Sequence, residues 1–306
     1  MLARSIRSSR LIGKREWQLW LLVLPAVVFF LVFHYAPMYG LVIAFKRYSV
    51  SKGIWESPWV GLMYFKRFFN SAQCWELIVN TLILSFYQLL VAFPPPLILA
   101  FMLNHTRAKW MKKSVQTITY APHFISLVVM TGMLTLFGSP SSGIINILIK
   151  RLGGQPIYFM AEPGWFRHVF VFSHVWQHTG YQAIIFLAAL TAVDVSQYEA
   201  ATLDGATKLQ KIRYIDLPAI VPTLVTVLLL QVGRMLNVDT QKVLLMQSAT
   251  NLSTSEIIGT YVYKIGLLNG QFSYSTAINL FQTVVNVVIL LFVNLVSRKL
   301  TGESLW

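Results

Sequence analysis

Charge is scarce in this chain. Of its 306 residues only 12% are Asp, Glu, Lys or Arg, about half the share of an ordinary soluble domain. Acidic groups are the rarer sign, 11 against 25 Lys and Arg, for a formal net charge of +14. Cysteine is almost absent: Cys74 stands alone, which excludes an internal disulfide and a cysteine-built metal site. Long polar stretches are missing too. The longest segments between apolar runs, 38–76 and 238–275, stay under 40 residues each, too short to bury the core of a separate catalytic domain. The string Gly138-Ser139-Pro140-Ser141-Ser142-Gly143 has the glycine spacing of a phosphate loop. Ile144 and Ile145 stand where Lys and Ser or Thr are needed, so nucleotide binding by that route is excluded.

What the chain does have is apolar length: 56% of it is hydrophobic. Six stretches approach or exceed the roughly 20 helical residues that cross a bilayer: 17–37, 77–103, 115–137, 168–190, 219–236 and 276–297. The second carries Pro94-Pro95-Pro96 and is expected to kink or break there. The first follows basic residues as a signal peptide would. Its run is too long, and no small-x-small site closes it, so it reads as an uncleaved helix.

Basic residues set the orientation. With the N-terminus inside, Arg4, Arg7, Arg10, Lys14 and Arg15, then Arg107, Lys109, Lys112 and Lys113, then Lys208, Lys211 and Arg213, and last Arg298 and Lys299 all fall on the inner side. That places both termini in the cytoplasm, with 1–16 as an inner tail and 38–76 and 238–275 outside. A cluster of Lys46, Arg47, Lys52, Lys66 and Arg67 runs against the trend. Positives beside membrane spans are explained by an anionic bilayer, so lipid rather than nucleic acid is the expected contact. The outer segment 38–76 is rich in Trp, Tyr and Phe, expected at headgroup level. Residues 143–151 read as a short amphipathic helix on the outer surface.

Between the fourth and fifth runs lies the most telling segment, 194–218. Asp194 and Ser196 are candidate N-caps. Glu199, Ala200 and Ala201 lead to Asp204, Gly205 and Ala206, and then to Ile215-Asp216-Leu217-Pro218. Small residues give a low surface that another body can approach, and Gly205 permits a tight turn. A second helix is expected from Ala206 to Tyr214, halted by Pro218. The spacing resembles the EAA loop (Glu-Ala-Ala, three residues, Gly, nine more to Ile-x-Leu-Pro) of ATP-binding-cassette importer permeases. Tyr35 to Gly40, Ala44-Phe45-Lys46, Trp59 to Leu62, Thr260 to Leu267 and Ser297 to Trp306 extend the likeness to the polysaccharide and lipo-oligosaccharide permease subgroup.

The resemblance implies an all-α polytopic fold of six transmembrane helices, of the type I importer kind, forming one permease domain over 1–306 in a bacterial inner membrane. It implies a second homologous permease subunit, two ATPase subunits that hold ATP and Mg, and an extracytoplasmic solute-binding protein that delivers an oligosaccharide. No cofactor is expected in the chain itself. By this analogy Gly205 and its neighbours enter a cleft on the ATPase, Glu199 steadies the loop or pairs across the interface, and Pro218 fixes the exit of the fifth helix.

Polar residues within the runs are costly in lipid and must face protein or water. Trp176, Gln177 and Tyr181, with Asn237, Asp239 and Asn279, are candidates for a sugar pathway: aromatic faces suit C–H surfaces and amides suit hydroxyls. Arg234 and Asp239 read as cavity charges or an internal ion pair. His174 and His178, four apart, share a helix face without the carboxylate or thiolate that a metal site would add. Other readings keep the architecture and change the cargo to a peptide, a lipoprotein-related or another polar solute. An independent secondary transporter would need repeats and broken helices that the sequence does not display.

Overall fold

The computed structural model describes residues 17–302 and Ser304; the basic tail 1–16 and Trp306 lie outside the described residues. The described chain is helical, with only two isolated bridges, Lys46 to Trp59 and Ser49 to Gly53. Its main helices are α1 (Trp17–Phe30), α2 (Gln73–Ala92), α3 (Pro94–Asn104), α4 (Lys109–Tyr120), α5 (Leu127–Phe137), α6 (Ile144–Arg151), α7 (Pro163–Thr191), α8 (Val195–Leu203), α9 (Lys208–Lys211), α10 (Leu217–Val232), α11 (Thr240–Met246) and α12 (Phe272–Thr301). Four continuous helical segments are long and apolar enough to cross a membrane: Leu19–Phe45, Gln73–Asn104, Lys208–Val232 and Phe272–Lys299. Two further helix pairs reach that length and apolarity only when taken together: Lys109–Phe124 with Leu127–Phe137, bent by 101°, and Pro163–Thr191 with Val195–Leu203, bent by 76°.

One expectation is met and two are corrected. The second run is interrupted at Phe93, directly before its prolines, as expected. The prolines open α3, where the first-turn N–H groups need no intrahelical partner, and the Phe93 N–H still reaches Leu89 O at 3.1 Å. The third run is not one straight helix. Pro122 sits in a 3-10 turn, Ile125 is extended, and Ser126 caps α5 through Val129 N at 3.4 Å. The carbonyl freed at Ile125 accepts from Gln177 Nε2 at 2.8 Å, which is how a broken helix is tolerated away from water. Finally, Pro218 does not halt the second helix of 194–218. A π-turn at Ile212–Asp216, closed by Leu217 N to Ile212 O, spaces the ladder so that Pro218 enters α10 without losing a bond it would have made.

The 29-residue α7 is the hub, burying Phe166, Phe170, Val171, Ala183, Phe186 and Leu190 against α2, α3 and α10. Its hydroxyls turn inward on the helix itself, as Ser173 to Val169 O and Thr179 to Val175 O at 2.6 Å each, so they cost little in an apolar setting. Gly180 allows the Thr119 backbone of α4 to lie against α7. The segment 238–275 is built into this core. Val243, Met246 and Ile257 pack on Phe166 and Phe170. Asn80 of α2 donates to Ser253 O and Glu256 O and accepts from Arg167.

One end of the bundle gathers 46–72, 138–162 and 247–274. Tyr48 N donates to Ser273 Oγ, Thr250 Oγ1 to Ala161 O, and Arg67 stacks on Tyr274. Asn146 of α6 pins this end with four hydrogen bonds, to Gly138 O, Ser139 O, Ile157 O and Ile157 N. The other end gathers 104–108 and 194–216. By contrast α1 and its continuation show every side chain from Leu19 to Tyr39 exposed in the isolated chain.

Candidate coupling loop and membrane cavity

The loop 194–216 is shaped by its caps. The Asp194 carboxylate accepts from Ser196 N at 3.0 Å and starts α8, and that bond holds its pKa below the ordinary 3.8. Asp194 is the cap, and Ser196 supplies the donor. At the other end Gly205 has φ +76°, and Ala206 N reaches Ala201 O at 2.9 Å while Gly205 N reaches Thr202 O at 3.1 Å. This 6→1 and 5→2 pair closes the helix and requires the left-handed residue that glycine supplies. Thr207 and Gln210 then form a capping box, with Thr207 N to Gln210 Oε1 at 2.7 Å, so the second helix begins at Lys208 rather than Ala206.

The resulting surface is open. Glu199, Ala200, Asp204, Gly205 and Pro218 are exposed, and Ala201 and Ala206 half-buried. Leu203 is 90% exposed, Leu209 74% and Tyr214 68%. The Glu199 side chain makes no hydrogen bond or ion pair among the described residues, so it does not steady the loop within this chain.

Beneath the loop sits a cluster that the sequence reading passed over. Asp216 is fully buried in the π-turn. Its Oδ2 accepts from His105 Nε2 at 2.6 Å and its Oδ1 from the Tyr198 hydroxyl. Asn104 Nδ2 reaches the same hydroxyl at 3.3 Å. Burial, and then the hydrogen bond to Asp216, push Tyr198 up to about 12. The available signal was a carboxylate inside Ile-x-Leu-Pro, in a chain with only 11 acids.

A cavity of about 500 Å³ opens between α2, α7 and α10. Ser85, Gln88, His174, Gln182, Gln231, Arg234 and Asn237 give it polar groups, and Phe93, Ile185 and Leu230 apolar ones. Of the six candidates for a sugar pathway, only Asn237 lines it. Gln177 is buried and committed to the bend at Ile125. Tyr181 stacks on His123 at 3.9 Å with its face half-exposed, and Trp176 and Asn279 are exposed elsewhere. Asp239 caps α11 through Lys242 N at 3.0 Å. It is not paired with Arg234: the ion pairs among the described residues are His105–Asp216 and Glu256–Lys264. His174 and His178 stack at 4.1 Å, and no group of three or more metal-ligating side chains forms among the described residues.

Known proteins share this arrangement. Residues 77–302 match the model of the binding-protein-dependent transport system inner membrane component family. Protein LplB of Bacillus subtilis (strain 168) is 43% identical over 96% of this chain and 92% of its own length. The polygalacturonan/rhamnogalacturonan transport system permease protein YteP of the same organism is 41% identical over 94% and 90%. A bacterial ABC transporter that imports the acidic polysaccharide alginate superposes with a TM-score of 0.87 at 40% identity, over 95% of this chain and 99% of the matched one. A bacterial alginate ABC transporter in complex with an alginate pentasaccharide-bound periplasmic protein superposes at 0.87 as well. This chain belongs to the binding-protein-dependent transport system inner membrane component family and is a permease subunit of an ABC importer.

Proposed function

We propose that this permease forms one half of a pathway for acidic oligosaccharides or polysaccharide fragments. Its 194–216 end and both termini face the cytoplasm, and two ATPase subunits dock on α8 and the Gly205 turn. A second, homologous permease completes the pathway, and an external binding protein presents the solute. ATP and Mg belong to the ATPase pair, so the chain alone hydrolyses nothing. Nucleotide energy enters as a difference in affinity of the ATPases for two arrangements of the permeases.

One observation carries the cargo: Arg234 borders a membrane cavity whose other polar groups are mostly amides, and it has no carboxylate partner among the described residues. Arg234 is exposed in the isolated chain, so its guanidinium can meet an anion that enters the cavity, and its planar fork fits a carboxylate. The relatives support the same class, because polygalacturonan, rhamnogalacturonan and alginate all carry uronates. The docking half rests on the exposed Leu203, Leu209 and Tyr214 around a turn that presents almost no side-chain bulk.

The test is reconstitution of the whole transporter in proteoliposomes with its binding protein. Uronate oligomers should be accumulated in preference to neutral oligomers of equal length, and Arg234→Gln should narrow that preference. Equal uptake of both by the unaltered transporter would remove the cargo assignment.

A further inference from the structure

Docking explains where the motor grips, but not how its stroke reaches the membrane. We propose that Asp216, His105 and Tyr198 form a positioning clamp that makes α8, the foot of the fifth crossing and the end of the second crossing move as one body; this rests on 194–216 being the coupling loop. The helix α8 has nine residues and meets α7 at a 76° bend through a largely exposed turn, 192–194. Such a joint passes a push along α7 poorly. The side-chain hydrogen bonds that tie α8 onward, among the described residues, are Tyr198 with Asp216 and Asn104, and Lys211 with Thr202. The Lys211 bond is exposed and stays inside the loop, so the first set alone reaches the crossings.

Both oxygens of Asp216 are engaged from different elements, one by the phenol of α8 and one by the imidazole that follows α3. Because the carboxylate is fully buried, water does not compete for it, and the link is stiffer than a surface contact. His105 lies 111 positions from Asp216 in sequence, so no backbone route replaces this bond between the second and fifth crossings.

The experiment uses the full transporter in proteoliposomes and reads four quantities: ATPase co-purification, basal hydrolysis, hydrolysis stimulated by loaded binding protein, and solute moved per ATP. In Asp216→Asn, His105→Leu and the gentler Tyr198→Phe, the ATPases should stay bound and basal hydrolysis should stay close to wild type. Solute moved per ATP should fall about tenfold, the loss expected from one buried hydrogen bond. His105→Gln keeps an N–H donor and should recover most of it. The double variant His105→Leu with Asp216→Asn should be no worse than the worse single one. An unchanged ratio of solute to ATP overturns the clamp. So does a fall in uptake that merely tracks lost co-purification. Gly205→Trp, run beside these, separates the two levels. If it abolishes stimulation while the clamp variants stay coupled, the clamp alone is wrong. If it leaves stimulation intact, the coupling-loop reading fails and the clamp with it.

Discussion

Replacing Gly180 by alanine should pry the third crossing from the fourth. Gly180 lies on α7 against the main chain of Thr119 in α4, and a methyl group there would overlap the Thr119 carbonyl oxygen and carbon. Those are backbone atoms inside a helix, so no rotamer change relieves them. A carbon and an oxygen rest at about 3.3 Å or more, so the helices must part by about 1 Å locally. Overpacking of this kind costs about 1–3 kcal/mol, with further loss as neighbouring contacts loosen. Gly132 in α5 is the control, because nothing lies within 4 Å of a methyl group placed there. Alanine at 132 should be neutral or gain up to about 1 kcal/mol of helix propensity. Thermal unfolding of the purified transporter in detergent, followed by loss of the monodisperse chromatographic peak, reads both. The expected pattern is a fall of several degrees for Gly180→Ala and none for Gly132→Ala. Equal behaviour of the two variants would refute the close-approach argument.

Two further outcomes are expected. Asn146→Leu strands three carbonyls and one N–H that the amide now satisfies, at a cost of about 2 kcal/mol or more, and protease cleavage within 138–162 should rise while the rest of the chain stays protected. Tyr198 has its pKa raised from 10.0 to about 12, so its contribution is full below pH 10 and is lost as the pH climbs through about 12. Cleavage within 194–216 should therefore be flat from neutrality to about pH 9 and accelerate only above pH 10; an increase already near pH 8 would show that the phenol is not held by Asp216.

The sequence announces some of these features and hides others for physical reasons. Apolar length reveals the crossings because lipid leaves few alternatives to a long helix. Gly205 and the capping residues of 194–216 are legible because local chemistry dictates them. The bend at Ile125 escaped, although Pro122 and Ser126 stand beside it, because apolar residues on both sides keep the hydropathy continuous. Roles that depend on distant partners could not be read locally. Gln177 is a candidate sugar contact by residue type, and only the fold shows that its Nε2 donates to the Ile125 carbonyl. Nothing near His105 announces Asp216. The segment 238–275 reads as an outer loop, and its polar residues dilute its hydropathy, so its packing against the bundle is not announced. Asn251 shows why it packs: fully buried, it donates to Met160 O and Met246 O and accepts from Ser248 N and Ser255 Oγ, so it behaves as a piece of core.

The turn at Gly205 is closed almost wholly by main-chain atoms, and its shape asks for one glycine and little else. Leu203 and Leu209 project from it without holding it up. Their identities can therefore drift, and the mount keeps its form while the face it offers is exchanged. A lineage of such subunits could change motors by surface substitution alone, leaving the bundle behind it undisturbed.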